Sequence, residues 1–545
     1  MNSELYDFED DFVAADVDVP TDAINAANLE DDDLDLSEQQ QQQQLAAAAQ
    51  AAIAAIPDGV KKFLIRFHAH VTTAGHAADV QTDYDFHFNK LTNRFYQKAA
   101  WPEPLTVASL VQEEATSIFI ILYSELYYRH IYSRLQPTLE ERVLSYENYC
   151  MLFNYILNSG EKPVSLELPT QWLWDIIDEF IYQFQNYSTY RSKLHKKTLE
   201  EITVLKNGLN IWGTYDVLNV LYSLVQKSNI RQQLSLDESE LTEEAVGVFG
   251  ICPLYRTLGY FSLLGLLRVH TLLGDYTMAL KTMEGVELYK KTSFPRVIAG
   301  HVSTFYHIGI CYMMLRRYSD ASRTFQHVLK FIAGTKHFQT RASYQFDQVA
   351  RTADRIYQLL ALCFALVPTR LDEATHATMR EKCGDQFAKL HRPEEALGAF
   401  EALFSKATPR FINPVPPNYD EYEALLKERQ AEEEAAGAAA EGAESDDEDG
   451  EKKASGKKRA IHIKQADPSQ LQYKVFVNEV RNQLVSAGAR PSPLDSEIAV
   501  VIDPDFAIEN GVIKVAENKA PRRFGEWFIR NSTKFAEMSA SLQSA

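Results

Sequence analysis

The stretch that most constrains this chain is residues 168–190, LPTQWLWDIIDEFIYQFQNYSTY. Large apolar side chains recur in it every three or four residues, which is the period of an amphipathic helix with an unusually wide apolar face. The members of that face are Trp172, Leu173, Ile176, Ile177, Phe180, Ile181, Phe184 and Tyr187. Thr170 can cap the first turn, with Pro169 outside the helix. Because a helix this apolar needs partners on more than one side, we expect it in the middle of a helical stack.

The neighbouring sequence predicts those partners. Aromatic-rich helical patterns follow one another along the chain, at residues 118–135, 141–157 and 211–225. Thr138 with Glu141, and Thr198 with Glu201, have the spacing of a capping box at a helix N-terminus. We find no convincing strand pattern before residue 490. Consecutive helix pairs of this kind predict an all-α fold, built as an α-solenoid of helical hairpins.

Residues 260–408 have the pattern of degenerate tetratricopeptide (TPR) repeats, in which small residues lie at close helix crossings and large residues fill the gap between repeats. The matching positions are Gly274, Asp275, Tyr276 and Ala279, then Gly309, Tyr312, Tyr318, Ala321 and Phe325, then Gly384, Phe387, Ala396 and Phe400. The alternative for any single match is a core alanine in an ordinary helical hairpin. Three matches in order favour TPR-like repeats of irregular length.

Charge and cysteine content narrow the class of protein. The formal charge of −20 is concentrated in residues 1–44, which hold 14 acidic side chains and no basic one. The rest of the chain is only mildly acidic, so general binding to duplex DNA is not expected. The five cysteines lie far apart without a Cys-x-x-Cys pair, which indicates reduced thiols in a cytoplasmic protein. No apolar run reaches the ~20 residues of a membrane span, and the acidic N-terminus is unlike a secretory signal or a transit peptide.

Composition divides the chain into five predicted segments. They are a disordered acidic, glutamine-rich and alanine-rich tail (1–56), an N-terminal helical repeat region (57–259), the TPR-like helices (260–415), a charged disordered insert or linker (416–470) and a C-terminal module (471–545). Within the last segment we expect a helix, two strands and a final helix, at residues 471–486, 498–502, 512–515 and 524–542. The turn between the strands is predicted to run through Asp503-Pro504-Asp505 and Asn510-Gly511.

The chain carries no nucleotide-binding loop, no nucleophile-elbow motif and no Cys/His spacing that suits zinc. Asp175, Asp178 and Glu179 cluster on one face of the central helix. They could form a catalytic carboxylate group, but a solvated polar face is the favoured interpretation.

Two further groups of residues are candidate sites. His301, His307 and Cys311 could approach one another at helical spacing, although no further good ligand or second shell is visible. The basic segment Lys452–Lys464 could contact RNA or act as a nuclear import signal. A counter-charge to the preceding acidic block is favoured there, because the segment has no aromatic residue to stack on bases. We therefore predict no catalytic, cofactor-binding or metal-binding residue.

Several segments carry a specific resemblance to a known family. They are YSELYYRHIYSRL (123–135), ENYCMLFNYILN (147–158), LELPTQWLWDIIDEFIYQFQNYSTYR (166–191), LNVLYSLVQKSNI (218–230), LGYFSLLGLLRVHTLLGDY (258–276), VPPNYD (415–420) and RRFGEWFIR (522–530). In these segments the chain resembles the subunit L family of eukaryotic translation initiation factor 3. The resemblance runs from about residue 57 to the end of the sequence.

The resemblance implies a fold and a role. The fold is a helical-repeat body that ends in a winged helix, together called a PCI domain, which is also found in subunits of the proteasome lid and the signalosome. The role is a non-catalytic scaffold subunit without cofactors, in contact with the other subunits of initiation factor 3. That complex binds the small (40S) ribosomal subunit and promotes 43S preinitiation complex assembly, mRNA recruitment and scanning. The alternatives are a scaffold subunit of another PCI complex and a free TPR adaptor that binds peptides.

The sequence departs from the family pattern at the C-terminus. The interval between Ser486 and Glu497 is too short for the core helices of a winged helix, so we expect an incomplete module, either truncated in the protein or shortened by a lost exon. The aromatic side chains that such core helices would cover are Phe524, Trp527 and Phe528. We predict that these three residues form an exposed apolar patch that contacts a partner subunit.

Overall fold

The computed structural model describes residues 47, 50–73, 75–194, 197–236, 240–287, 297–335, 343–390, 392–425, 427, 467–487, 506–509 and 512–515. Helices make up most of these residues. The helices up to residue 251 are α1 (Asp58–Thr72), α2 (Ala77–Thr82), a π-helix (Asp83–Phe88), α3 (Asn89–Phe95), α4 (Pro104–Val111), α5 (Ile118–Arg134), α6 (Leu139–Leu157), α7 (Thr170–Ser192), α8 (Leu199–Asn207), α9 (Thr214–Lys227), α10 (Ile230–Gln233) and α11 (Glu243–Ile251).

The helices after residue 251 are α12 (Pro253–Leu273), α13 (Tyr276–Thr282), α14 (Ile298–Met314), α15 (Tyr318–Thr335), α16 (Ser343–Leu366), α17 (Glu373–Lys389), α18 (Pro393–Ala407) and α19 (Pro468–Ala487).

The chain divides into two compact units. Unit 1 consists of residues 1–315, 327–353 and 409–466, and unit 2 of residues 316–326, 354–408 and 467–545. The five-segment division expected from composition remains a prediction. In the described residues, no helix is both long and apolar enough to cross a membrane.

Helix α7 is buried within unit 1, where it packs against α5, α6 and α12. Every residue of the apolar face predicted from the sequence is buried, from Trp172 at 0% exposure to Leu173 at 3%. Trp174, Gln183 and Gln185 are buried as well, so the polar side of the helix is narrower than the periodicity suggested. The expectation that this helix packs against partners on more than one side is confirmed.

Aromatic rings hold α7 on two sides. Near its start, the ring of Trp172 stacks on Tyr84 of the π-helix at 4.9 Å and on Phe67 of α1 at 5.7 Å between centroids. One helical turn further along the buried face is Ile176, and at the next turn Phe180 meets Trp212 at 5.4 Å. Such ring pairs contribute about 0.5–1.5 kcal/mol each beyond the area that they bury. The rings therefore fix the position of α7 as well as burying it.

The N-termini of three helices can be compared with the caps that the sequence predicts. Both predicted capping boxes form, with Thr138 and Glu141 at the start of α6 and Thr198 and Glu201 at the start of α8. The predicted cap of α7 is wrong. Thr170 is already the first helical residue, and Pro169 occupies the N-cap position without a side-chain hydrogen bond. The extended conformation of Pro169, with φ −58° and ψ 141°, leads directly into the helix.

Helix α12 approaches its neighbours closely through glycines. A Cβ atom at Gly259 would lie 1.9 Å from the Oγ atom of Ser228, and one at Gly265 would lie 3.0 Å from Ile181 of α7. Gly274 ends the helix in the left-handed conformation, at φ 82°. The alanines of the TPR-like pattern, Ala279 and Ala321, are fully buried. Their burial fits both TPR-like repeats and ordinary helical hairpins, so it does not decide between them.

Unit 2 contains α17, α18 and α19. The ring of Phe476 in α19 lies 6.2 Å from Phe400 and 4.9 Å from Phe404 of α18, and all three side chains are buried. The helix predicted over residues 471–486 thus lies within α19. Gly384, one of the TPR-like matches, has non-helical φ and ψ angles of 47° and −129° and introduces a kink into α17.

Two short strands are also described. β1 (Phe506–Glu509) pairs antiparallel with β2 (Val512–Val515), and Glu509 lies opposite Val512. β2 coincides with the second predicted strand, whereas the first predicted strand, 498–502, lies outside the described residues. The predicted turn was too long, because β1 lies within it. Only Asn510 and Gly511 separate the paired ends, and this dipeptide favours a two-residue connection between antiparallel strands.

Candidate functional site

The predicted partner patch of Phe524, Trp527 and Phe528 lies outside the described residues, as does the basic segment Lys452–Lys464. Both stay predictions. In the described part of the chain, a dense group of polar side chains lies at the start of α7. We call it the Glu125 cluster, and its members are Tyr84, Glu125, Arg129, Tyr149, Trp172 and Asp175.

Glu125 is the main acceptor of this cluster, and its side chain is fully enclosed. Its Oε1 atom accepts from Nε of Arg129 at 2.9 Å, one helical turn further along α5, and from the hydroxyl of Tyr149 at 3.3 Å. Its Oε2 atom accepts from Nε1 of Trp172 at 3.0 Å. A buried carboxylate needs this compensation, because removing a charge from water is costly unless partners replace the solvent. Glu125 therefore connects α5, α6 and α7 through one side chain.

Arg129 extends the cluster towards the π-helix. Its guanidinium donates to the hydroxyl of Tyr84 and lies 3.7 Å from the Oδ2 atom of Asp175. The Tyr84 hydroxyl in turn donates to Asp175, and Gln171 donates to the other oxygen of that carboxylate at 2.9 Å. Burial by itself would lower the pKa of Arg129, but the nearby Glu125 and the other acidic groups raise it above its ordinary value. The guanidinium is thus held as a buried cation between two carboxylates.

The three acidic residues of α7 are not the solvated face that the sequence favoured. Burial raises the pKa of Asp175 to about 6 and that of Glu179 to about 8. Glu179 accepts from Gln183 at 3.0 Å. Asp178 pairs with Arg268 of α12, with 2.5 Å between its Oδ1 atom and the guanidinium Nη1 atom. Asp175 and Asp178 are thus engaged with side chains of other elements, whereas Glu179 is engaged within α7 itself. The two aspartates join α7 to its neighbours within unit 1.

The structure does not bring the His301, His307 and Cys311 side chains together as a ligand set. The ring of His301 packs 4.4 Å from that of Phe331, and Nδ1 of His307 lies 2.7 Å from the carbonyl oxygen of Ser303. The Sγ atom of Cys311 lies 3.2 Å from the hydroxyl of Thr271. Burial lowers the pKa of His307 to about 3 and raises that of Cys311 to about 12. These side chains belong to the packing around α14.

Comparison with known proteins decides the family. A family model described as RNA polymerase I-associated factor PAF67 matches residues 141–491. A Mycosarcoma maydis protein named eukaryotic translation initiation factor 3 subunit L is 41% identical over 537 residues, which cover 90% of this chain and 75% of that protein. The Nematostella vectensis and Homo sapiens proteins of the same name are 43% and 40% identical, over 90% and 85% of this chain and 93% and 83% of their own lengths. This chain belongs to the initiation factor 3 subunit L family.

In this member of the subunit L family, the proline-rich connector after α18, residues 409–422, belongs to unit 1 and packs against its helices. The main-chain N–H of Ile412 donates to the carbonyl oxygen of Leu272 at 2.8 Å, and Gln185 of α7 donates to the carbonyl oxygen of Arg410 at 2.7 Å. Phe411 and Ile412 are buried. The adjacent apolar residues Phe411 and Ile412 are the local sequence signal that this proline-rich segment packs.

Ion pairs also hold the C-terminal part of the connector. Lys206 of α8 pairs with Asp420 and lies 3.3 Å from a carboxylate oxygen of Glu423. Between these anchors Tyr419 is buried, in the neighbourhood of Arg191 at the end of α7. The VPPNYD motif that carried part of the family resemblance therefore includes two residues, Tyr419 and Asp420, that hold the connector against α7 and α8. The motif is explained by packing within the chain.

Proposed function

We propose that this chain is a non-catalytic scaffold subunit of the eukaryotic translation initiation factor 3 complex. In this proposal it works within the cytoplasm, inside a complex that binds the small (40S) ribosomal subunit and promotes 43S preinitiation complex assembly, mRNA recruitment and scanning. The observation that carries the proposal is the 40–43% identity to proteins named subunit L across most of the chain. Translation initiation is the process that those names give.

The distribution of polar groups supports a scaffold role. In the Glu125 cluster, charged and aromatic side chains form hydrogen bonds and an ion pair between helices of unit 1. The connector is attached in the same way, through Gln185 and Lys206. A body whose helices are fixed to one another presents a surface of constant shape, which is what contacts with several partner proteins require.

We also propose that the apolar patch of Phe524, Trp527 and Phe528 contacts another subunit of the complex. The support comes from the sequence, which places three large aromatic residues near one stripe of a predicted helix. Aromatic residues are over-represented among the few interface positions that dominate binding energy. Direct contact with RNA through Lys452–Lys464 is a weaker proposal, since no aromatic residue accompanies the basic side chains.

The first experiment is a sucrose gradient of lysate that contains the tagged full-length chain, followed by mass spectrometry of proteins purified with it. We expect the chain in the fractions of the small ribosomal subunit, together with other subunits of initiation factor 3. Recovery of proteasome-lid or signalosome subunits would favour another PCI complex. Recovery as a free monomer, without other initiation factor subunits, would favour the peptide-binding adaptor and overturn the proposal.

The second experiment separates the proposed interface from the core. Trp527→Ala should weaken incorporation into the complex more than it lowers the melting temperature of the isolated chain. Trp527→Phe is the matched control, since it retains a large apolar ring, and should incorporate nearly as well as the natural chain. If Trp527→Ala assembles normally while its thermal stability collapses, the side chain belongs to an internal core and the interface proposal is wrong.

A further inference from the structure

Two histidines and an aspartate converge where α1 ends and α2 begins. His70 lies in the last turn of α1, His76 directly precedes α2, and Asp79 lies in the first turn of α2. One ligand atom from each of the three lies within 4.8 Å of the other two. The imidazole rings of His70 and His76 are nearly parallel, with 5.3 Å between their centroids. Gly75 permits this tight turn, because its φ of 93° lies in the left-handed region that favours glycine.

A buried carboxylate orients one of these histidines. The Oδ2 atom of Asp83, a residue only 1% exposed, lies 2.7 Å from Nδ1 of His70. Its other oxygen is 2.6 Å from the guanidinium of Arg66 and 2.9 Å from Nδ1 of His87. Histidines that bind metals usually give their second ring nitrogen to a carboxylate or carbonyl, which fixes the tautomer and the ring orientation. Asp83 therefore engages Nδ1 of His70 and leaves Nε2 as the nitrogen that can coordinate.

The charge and the donor atoms suit a divalent transition-metal ion. The positive charge of Arg66 is offset by its ion pair with Asp83, and the carboxylate of Asp79 contributes a negative charge to the ligand set. Two imidazoles and one carboxylate are a donor set found in zinc sites that keep a fourth position open. Because Asp79 is exposed, water can occupy that fourth position.

We propose that His70, His76 and Asp79 bind a divalent transition-metal ion, zinc in the first place, which joins the end of α1 to the start of α2. His76 and Asp79 are already hydrogen-bonded to each other, with 2.9 Å between Nδ1 of His76 and Oδ2 of Asp79. The ion replaces this hydrogen bond. Zinc–nitrogen and zinc–oxygen distances of about 2.0–2.2 Å require the ligand atoms to close in from their present separation. His76 and Asp79 can do so by side-chain rotation, since neither is enclosed by packing.

The test uses the full-length chain without a histidine tag, freed of metal by a chelator. Isothermal titration with Zn²⁺ alone measures affinity, and the visible absorption of added Co²⁺ reports tetrahedral coordination. The variant His76→Ala/Asp79→Asn removes two ligands. The matched control is His68→Gln, on the same helix as His70, because His68 binds Glu113 at 3.1 Å and takes no part in the site. Thermal melts with and without Zn²⁺ show whether the ion stabilises the fold.

We expect one equivalent of Zn²⁺ with micromolar or tighter affinity, and a rise in melting temperature on adding it, in both the natural chain and His68→Gln. The double variant should lose at least about 100-fold in affinity, since even outer-shell changes cost about 10–100-fold. It should also lose the Co²⁺ absorption and the zinc-dependent rise in melting temperature. If the metal-free double variant melts earlier than the natural chain, Asp79→Asn alone replaces it in the same measurements. Binding that is only millimolar, or that the ligand variants leave unchanged, overturns the proposal.

Discussion

Replacing Glu125 with leucine should be among the most damaging single changes in unit 1. The side chain is fully enclosed and accepts hydrogen bonds from Arg129, Trp172 and Tyr149. Leucine has a similar size but accepts none of them. Removing one member of a buried ion pair costs about 3–5 kcal/mol of stability, and each neutral donor left without an acceptor costs about 1–3 kcal/mol. Asp175, 3.7 Å from Arg129, offsets part of this loss, so we expect a decrease of at least about 4 kcal/mol in the free energy of unfolding.

Urea unfolding followed by tryptophan fluorescence measures this effect. Four of the five tryptophans report on the relevant region, namely Trp101, Trp172, Trp174 and Trp212, all of which are buried. The control is Glu147→Leu, at an exposed position of α6, which should change stability by less than about 0.5 kcal/mol. Glu125→Leu/Arg129→Met removes both charges and should cost less than Glu125→Leu alone. A loss below about 1 kcal/mol for the single variant, or a larger loss for the double variant, would refute the reasoning.

Three further predictions test the packing of unit 1. Burial raises the pKa of Glu179 from 4.5 to about 8, so between pH 4.5 and pH 8 the folded chain keeps a proton that the unfolded chain releases. The stability of the fold should therefore fall as the pH rises from 4.5 to 8. The melting temperature of Glu179→Gln should decline less over the same pH range. Gly259→Ala places a Cβ atom 1.9 Å from Ser228 and should lower the melting temperature, whereas Gly398→Ala meets no atom within 4 Å and should not. Phe180→Ala should cost about 3–5 kcal/mol in urea unfolding, because the side chain is 2% exposed.

Structural features that depend on residues close together in the chain were predictable from the sequence. The period of α7 identified its buried face, and the spacing of Thr138 and Glu141 identified the start of α6. Both depend only on residues within a few turns of the chain, where helix geometry fixes the side-chain positions. Thr170 shows the limit of such reasoning, because the preceding proline could occupy the N-cap position equally well.

Contacts between distant residues were not predictable. Nothing in the sequence near Asp175 indicates that Tyr84 and Arg129, both more than 40 residues earlier, enclose its carboxylate. A polar stripe on a helix is usually solvated, so the pattern alone favours the wrong interpretation. The same holds for Gly259, whose close approach to Ser228 depends on how α12 crosses the preceding helices. Only the three-dimensional arrangement supplies this information.

The Glu125 cluster also explains how such apolar helices can adopt a single arrangement. Burial of apolar surface is non-directional, so α5 and α7, each apolar over much of its surface, could slide along one another at little cost. The hydrogen bond from Trp172 of α7 to Glu125 of α5 and the contact of Arg129 with Asp175 of α7 cross between the two helices, and their geometry fixes the register of the pair. We infer that the cluster contributes more to specificity than to stability, as buried polar groups do in some helical assemblies. The double variant Glu125→Leu/Arg129→Met should then retain most of its unfolding free energy, while amide hydrogen exchange in α5 and α7 becomes faster. Unchanged exchange in both helices would contradict this inference and leave the apolar packing alone as the determinant of register.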